Sequence, residues 1–299
     1  MSNFNKTFSI FTPILIGGSL ILLTGFAIRS SFGLFQIPIA EQFAWARSEF
    51  SLAIAIQNLA WGIGTPIFSA FAEKFGDRKA IFTGILLYAL GLLISSYAST
   101  AETHQLLNFI IGFGIAGTGF GPILAVVGRS TSPEKRSLAL GITTAAGSAG
   151  QVIGPPITSL LLNYYQWPLV FVFFAIVILT ASLLLPLLKT KKNISKNQLN
   201  ENLSDVLIKA FKDPSFAMIF LGFFSCGFQL AFITAHFPAF IAEASSPILP
   251  NGLISLVCNS TATLGALAIA VIGLFNIIGS IGAGALGKNF SKKYLLSII

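Results

Sequence analysis

One arginine, Arg29, stands alone within a long run of uncharged residues near the start of the chain. In hydrocarbon a guanidinium costs roughly 2.5–3.5 kcal/mol unless it faces protein or water. Its planar fork of N–H donors matches a carboxylate, so Arg29 is a candidate to bind an organic anion. The alternative is that its side chain snorkels to the lipid headgroups. On a regular helix, Phe32, Gly33 and Gln36 share its face.

Other polar side chains within apolar runs are candidates to contact the same solute. Each could equally serve as a hydrogen-bonding contact between neighbouring helices. His236 could carry a proton near neutral pH, or simply lie at the membrane interface. With Arg29, the candidate substrate contacts are Phe32, Gln36, Gln57, Asn58, Gln151, Gln229, His236 and Asn276.

The sequence does not favour an enzyme. It contains no nucleophile–base pair and no metal-ligand spacing, and its acidic residues lie outside the apolar runs. The residues Gly112–Gly117 form a GxGxxG pattern, but they lie inside an uncharged run with no preceding strand. A dinucleotide site needs that strand, so we expect no cofactor.

The elements that must position these residues are membrane helices. The composition is 54% hydrophobic and only 9% charged, with a mean hydropathy of +0.83, whereas globular chains carry about 25% charged residues. A helix needs about 20 apolar residues to cross a bilayer, and lipid offers backbone groups no other partners. The predicted spans are 12–38, 49–72, 80–98, 105–128, 137–162, 168–188, 215–241 and 262–286.

The basic residues predict the orientation. With the N-terminus cytoplasmic, all 18 lysine and arginine residues except Arg29 and Arg47 fall in cytoplasmic segments. Arg47 lies in the first outer loop and receives no role. We expect a protein integral to the plasma (bacterial inner) membrane and surrounded by lipids. The net charge of +8 forms no aromatic-interleaved patch, so nucleic acid is not an expected partner.

A polar segment at 189–214 divides the chain into a six-span bundle (1–188) and an incomplete second bundle (215–299). The second bundle looks like a copy of the first. Ile39–Glu41 is repeated as Ile241–Glu243, and Glu73–Lys79 corresponds in position to Lys288–Tyr294. Two parallel repeats of a six-span unit are a transporter architecture.

The charged turn Ser69–Lys79 joins the second and third spans. Gly76 permits the tight reversal, and Asp77 suits the positive end of the next helix. The turn resembles the major facilitator superfamily signature Gly-x-Leu-x-Asp-Arg-x-Gly-Arg-Lys, although Asp77 stands where the family has a base. The resemblance implies a gate; the alternative is an ordinary positive-inside loop. The implied gating residues are Glu73, Gly76, Asp77, Arg78 and Lys79.

The fifth span carries Gly147, Gly150 and Gly154 on one face, followed by Pro155. This pattern resembles the Gly-Pro-ending motif of antiporters in the same superfamily, which implies a sliding, gating helix. The alternative is a stripe of small residues for close packing. The segment Arg29–Phe35 is similar to the first helix of the monocarboxylate-transporter-like branch.

These features predict an all-α polytopic membrane protein with the six N-terminal helices and two to three C-terminal helices of a major facilitator fold. The resemblance implies a monomeric secondary active transporter of a small solute. That solute would be an organic anion such as a monocarboxylate, moved by alternating access with or without a coupling proton. The alternative is a truncated, non-transporting or regulatory remnant, because the chain stops at Ile299 where a ninth span would begin.

Overall fold

In the computed structural model, residues 10–189, 203–244, 261–287 and 290 are described. Every regular element in these ranges is a helix, which confirms the all-α prediction. Of the predicted linker, 190–202 lies outside the described residues, as does most of the repeated turn Lys288–Tyr294.

Each predicted span corresponds to a helical segment in the structure. In chain order, spans 1 to 8 are Pro13–Phe43, Arg47–Phe75, Asp77–Ser95, Ala101–Ser130, Pro133–Tyr164, Trp167–Leu188, Pro214–Ala244 and Thr261–Leu286. A short surface helix, Leu203–Phe211, precedes span 7. We call the end that carries Gly76 the inner end and the opposite end the outer end, following the predicted orientation.

Seven of these helices are both long and apolar enough to cross a membrane, and span 5 is the exception. Span 5 is a continuous helix of 32 residues. Its many glycine, serine and threonine residues lower its hydropathy. The structure shows why such residues are tolerated there, because span 5 packs between span 1 and span 8.

Three spans depart from a continuous α-helix in ways that the sequence pattern did not predict. In span 6, the last eight residues, Ala181–Leu188, form a 3-10 helix. Span 1 tightens into a 3-10 turn at Phe32–Phe35, directly after Ser31. The Ser31 hydroxyl donates to the Ala27 carbonyl at 2.8 Å and accepts from Thr158 of span 5 at 2.9 Å. Span 4 is interrupted at Gly119, which has extended backbone angles. These departures lie inside the predicted spans, each of which is helical in the structure.

An aromatic core holds span 1 against span 6. The rings of Phe35 and Phe171 are both fully buried and their centroids lie 4.7 Å apart in an edge-on arrangement. Phe32 and Phe174 extend the cluster, at 5.8 Å from Phe171 and 5.9 Å from Phe35 respectively. Edge-on pairs of this kind add stability beyond the area they bury.

Spans 5 and 8 meet through small residues. A Cβ atom on Gly141 would lie 2.9 Å from the Cα of Gly284, and one on Gly273 would lie 2.9 Å from the Ser148 carbonyl oxygen. Backbones approach this closely only where side chains are absent. This contact joins the first six spans to the last.

We therefore expect Gly141→Ala to destabilise the protein relative to Gly62→Ala. Both substitutions add one methyl within a helix, but the added methyl at Gly62 has nothing within 4 Å. The expected difference in the free energy of unfolding is about 1–3 kcal/mol, the usual cost of overpacking. It is measurable by denaturant titration in detergent micelles. Equal stabilities would contradict the close contact.

Candidate functional site

Arg29 lies inside the helix bundle and is only 6% exposed. Its Nη2 donates a hydrogen bond of 2.9 Å to Oδ1 of Asn58 in span 2. The guanidinium carbon lies 4.5 Å from the ring centroid of Trp61 and 5.8 Å from that of Phe26, both within cation–π range. The side chain is therefore held against protein, whereas snorkelling would have taken it to the headgroups.

The orientation of Asn58 is itself fixed. Its Nδ2 donates to the Ile54 carbonyl at 2.8 Å, one turn earlier, which leaves Oδ1 free to accept from Arg29. The Arg29 Nε, by contrast, is buried and has no hydrogen-bond partner among the described residues. Nor does any carboxylate in the described part of the chain pair with Arg29. The site thus retains an unused donor on a buried cation.

Two aromatic residues of this site were not among the sequence candidates. The Phe26 ring lies 4.5 Å from Phe120 and 5.9 Å from Trp61. Trp61 follows Asn58 by three residues, so helical spacing could have placed it beside Arg29. Phe120 directly follows the break at Gly119, against which the Trp61 indole packs closely. No local pattern predicted that break.

Gln57 faces away from Arg29, although it is adjacent to Asn58 in sequence. Its Nε2 donates to Oδ1 of Asn108 in span 4 at 3.0 Å, and both side chains are buried. Successive residues on a helix point about 100° apart, so neighbours meet different helices. Gln57 thus forms the contact between helices that the alternative interpretation described.

Two of the three residues expected on the face of Arg29 contact other helices. Phe32 packs on Phe171 of span 6, and Gly33 contacts span 7. Gln36 is also buried. The shared face was predicted for a regular α-helix, and the 3-10 turn at Phe32–Phe35 changes the angle between successive residues.

The remaining substrate candidates form no hydrogen bond to Arg29 in the described part of the chain. Asn276 of span 8 donates to Gln151 of span 5 across 3.5 Å, and the Gln151 Nε2 is buried without a partner there. On span 7, Gln229 is exposed and His236 is half-buried, with its ring 5.2 Å from Phe232.

The charged turn between spans 2 and 3 contacts the inner ends of spans 4 and 6. Gly76 has φ +101°, a conformation that favours glycine. Asp77 is largely buried and pairs with Arg129 at the end of span 4. Arg78 donates to the Pro186 carbonyl of span 6 at 2.8 Å. Glu73 and Lys79 remain exposed.

The glycine stripe of span 5 contacts span 1. A Cβ atom on Gly150 would lie 2.2 Å from the Leu23 carbonyl oxygen, and one on Gly154 would lie 2.1 Å from that of Ala27. Gly147 lies in ordinary contact distance of Leu22, and Pro155 is buried within the continuous helix. These contacts match the close-packing interpretation, and a sliding role stays a prediction.

Two cavities, of about 370 and 410 Å³, open at the outer ends of spans 5 and 6, and the larger one also reaches Ser96 and Tyr97 at the outer end of span 3. Leu169 and Tyr165 line both of them. Neither cavity is lined by Arg29 or by another candidate substrate residue. In this conformation the cation is enclosed by its neighbours in spans 1 and 2.

The seven helices that are long and apolar enough to cross a membrane define an integral membrane protein of the polytopic helical class. The sequence pattern of the Major Facilitator Superfamily matches residues 17–299, and the chain belongs to that superfamily. Its members are transporters and not enzymes.

Similar proteins include monocarboxylate transporters. Monocarboxylate transporter 13 of Bos taurus is 35% identical over 144 residues, which cover 48% of this chain and 33% of that protein. The uncharacterized MFS-type transporter YcxA of Bacillus subtilis (strain 168) is 26% identical over 290 residues, covering 91% and 64%. The chain thus spans less than two thirds of the length of these relatives.

Two solved structures share the fold at 15% identity. A D-xylose-proton symporter superposes with a TM-score of 0.57, covering 89% of this chain and 65% of that one. A bacterial homologue of the human lysosomal transporter Spinster, inward-facing and unoccupied, gives 0.53, with coverages of 91% and 73%. These likenesses support the predicted fold.

The contact between Arg29 and Asn58 should appear as an energetic coupling. In a double-mutant cycle of Arg29→Met and Asn58→Leu, we expect a coupling in unfolding free energy of about 1.5–3 kcal/mol, as for hydrogen bonds to charged groups. The matched cycle uses Gln57→Leu in place of Asn58→Leu, because Gln57 faces span 4. In that cycle the two changes in unfolding free energy should add within about 0.5 kcal/mol. Equal coupling in both cycles would refute this geometry.

Any side chain at position 76 should lower the free energy of unfolding, because of the backbone conformation there. No atom lies within 4 Å of an added Cβ there, so the expected loss for Gly76→Ala, about 1–3 kcal/mol, comes from the backbone conformation alone. Gly128→Ala, where the added methyl makes only an ordinary contact with Leu140, serves as the control. Denaturant titration of both variants measures the difference, and an unaffected Gly76→Ala protein would contradict the positive φ.

Proposed function

We propose that the protein is a secondary transporter of a small organic anion such as a monocarboxylate, with Arg29 binding the carboxylate. The observation that carries this proposal is the buried Arg29, whose Nε has no partner among the described residues. A buried cation without a counter-ion is costly. A bound carboxylate would supply both the missing charge and the missing acceptor.

The surroundings of Arg29 favour a singly charged anion with an apolar body. Asn58 and the rings of Phe26 and Trp61 are neutral. The guanidinium of Arg29 therefore supplies one positive charge, which one carboxylate of the substrate would balance. A second carboxylate would remain buried and unpaired, at high cost. The rings of Trp61 and Phe26 would pack against the hydrocarbon part of the substrate. The names of the monocarboxylate transporters among the relatives agree with this substrate class.

Transport would require the first six spans (1–188) and the later segment (215–299) to move relative to each other, with 189–214 as the linker. The pair Gln151–Asn276 lies across this division, so its 3.5 Å contact would change during the cycle. His236 is the candidate carrier of a coupling proton. The turn Glu73–Lys79 would act as the inner gate, in a plasma membrane protein with a cytoplasmic N-terminus.

A non-transporting membrane protein is the second candidate. The observation in its favour is the enclosure of Arg29, which lines neither of the two cavities described above. In such a protein the cation would only hold spans 1 and 2 together.

Uptake of radiolabelled lactate into proteoliposomes separates the two candidates. We expect Arg29→Gln to lower uptake at subsaturating lactate by at least about tenfold, the equivalent of 1.4 kcal/mol of binding, with unchanged insertion into the membrane. Arg29→Lys should retain part of the activity, because it keeps the charge but loses the fork.

The matched control is Arg136→Gln, which removes one positive charge from an exposed inner position and should transport normally. Uptake by Arg29→Gln equal to that of the unmodified protein would exclude the binding role of Arg29. A complete lack of anion-dependent uptake by the unmodified protein would favour the non-transporting alternative.

A further inference from the structure

Arg47, to which the sequence pattern assigned no role, forms an ion pair across the bundle. It begins span 2 at the outer end, and its Nη2 hydrogen-bonds to Oε1 of Glu243 in the last turn of span 7. The two residues are separated by 196 positions. The neighbouring acid of span 2, Glu49, is engaged by Gln105 at 2.7 Å. The pair therefore ties the first six spans to span 7.

A tight backbone contact lies along the same interface. A Cβ atom on Gly33 of span 1 would lie 2.2 Å from the Thr234 carbonyl oxygen and 3.1 Å from Cγ of Pro238, both in span 7. Gly265 of span 8 packs on the other side, because its Cβ would lie 2.8 Å from the Pro238 carbonyl oxygen. Span 7 is thus held between spans 1 and 8 near Pro238.

Apart from ring contacts with Phe211 of the surface helix, span 7 packs against its neighbours through its outer half. Its buried residues are Thr234, Ala235, Pro238, Ala239 and Ala242. Phenylalanines of its inner half, such as Phe220 and Phe228, are exposed. In the described part of the chain, span 7 is closed against spans 1 and 2 at the outer end alone.

We propose that Arg47 and Glu243 form an outer gating pair. Their ion pair, together with the contact of Gly33 and Thr234, holds the outer side closed and separates when that side opens. The pair is suited to repeated opening, because both side chains are about half exposed (59% and 48%). Exposed ion pairs are weak and screened by salt. This inference rests on the proposed function only in that a transporter must open outwards.

The test uses the full chain with Cys226 and Cys258 replaced by serine and with Thr234→Cys as a reporter. Thr234 is buried under Gly33, so a membrane-impermeant maleimide added to the outer side of intact cells reaches it only after opening. Arg47→Glu and Glu243→Arg should each raise the labelling rate by about two- to tenfold, since each replaces attraction by repulsion across a half-exposed contact.

The charge swap Arg47→Glu with Glu243→Arg should restore the slow rate. Arg136→Glu, a charge reversal at an exposed inner residue, should leave it unchanged. Should a reversal variant fold poorly in size-exclusion chromatography, Arg47→Gln and Glu243→Gln replace it, with the same expected direction. Unchanged labelling in both single variants, or a swap that labels as fast as they do, would overturn the gating pair.

Labelling requires no substrate, so this result is independent of the lactate experiment. If the labelling rate depends on the charges of Arg47 and Glu243 but lactate is not taken up, the gating pair is supported and only the proposed monocarboxylate substrate is excluded. Arg29-dependent uptake with charge-independent labelling removes the gating pair alone.

Discussion

The close backbone contacts of span 5 are the constraint on which the rest of the structure depends. On one side Gly150 and Gly154 allow the carbonyl groups of span 1 to approach, and on the other Gly141 meets Gly284 of span 8. A side chain at any of these positions would force the helices apart. In a bilayer, where lipid tails are as apolar as the side chains, such van der Waals contact is what holds helices together. Span 5 is therefore less apolar than the other spans because its small residues allow close contact with span 1 and span 8.

This packing also explains how a cation is tolerated inside the bundle. Span 1 is held between spans 5 and 6, and Arg29 turns towards span 2, where Asn58 accepts a hydrogen bond and Trp61 offers its ring face. The cost of burial is only partly offset, because Nε has no partner in the described residues. Stability alone would favour an apolar residue at this position, and this is the physical reason to connect Arg29 with an anion.

The two ends of the bundle are tied in different ways. At the inner end, Asp77 and Arg78 connect the charged turn to spans 4 and 6. Asp77, which stands where the family signature has a base, pairs with Arg129. At the outer end, Arg47 and Glu243 connect groups of helices that are distant in sequence. The contacts of Asp77 and Arg78 lie within the first six spans, whereas the pair of Arg47 and Glu243 lies between those spans and span 7, so only this second pair would separate in the proposed opening.

The sequence by itself determined the helices, because a backbone in lipid must satisfy its own hydrogen bonds and needs a fixed length to cross. It also placed Arg29 in the membrane and Gly76 in a tight turn, since both follow from residue type and local spacing. Only the tertiary structure decided which neighbours these residues meet. Other helices decide that Asn58 and not Gln57 binds Arg29, and that Arg47 pairs with Glu243. They also surround the 3-10 turn that redirects Phe32. Local periodicity carries no information about contacts between segments so far apart in the chain.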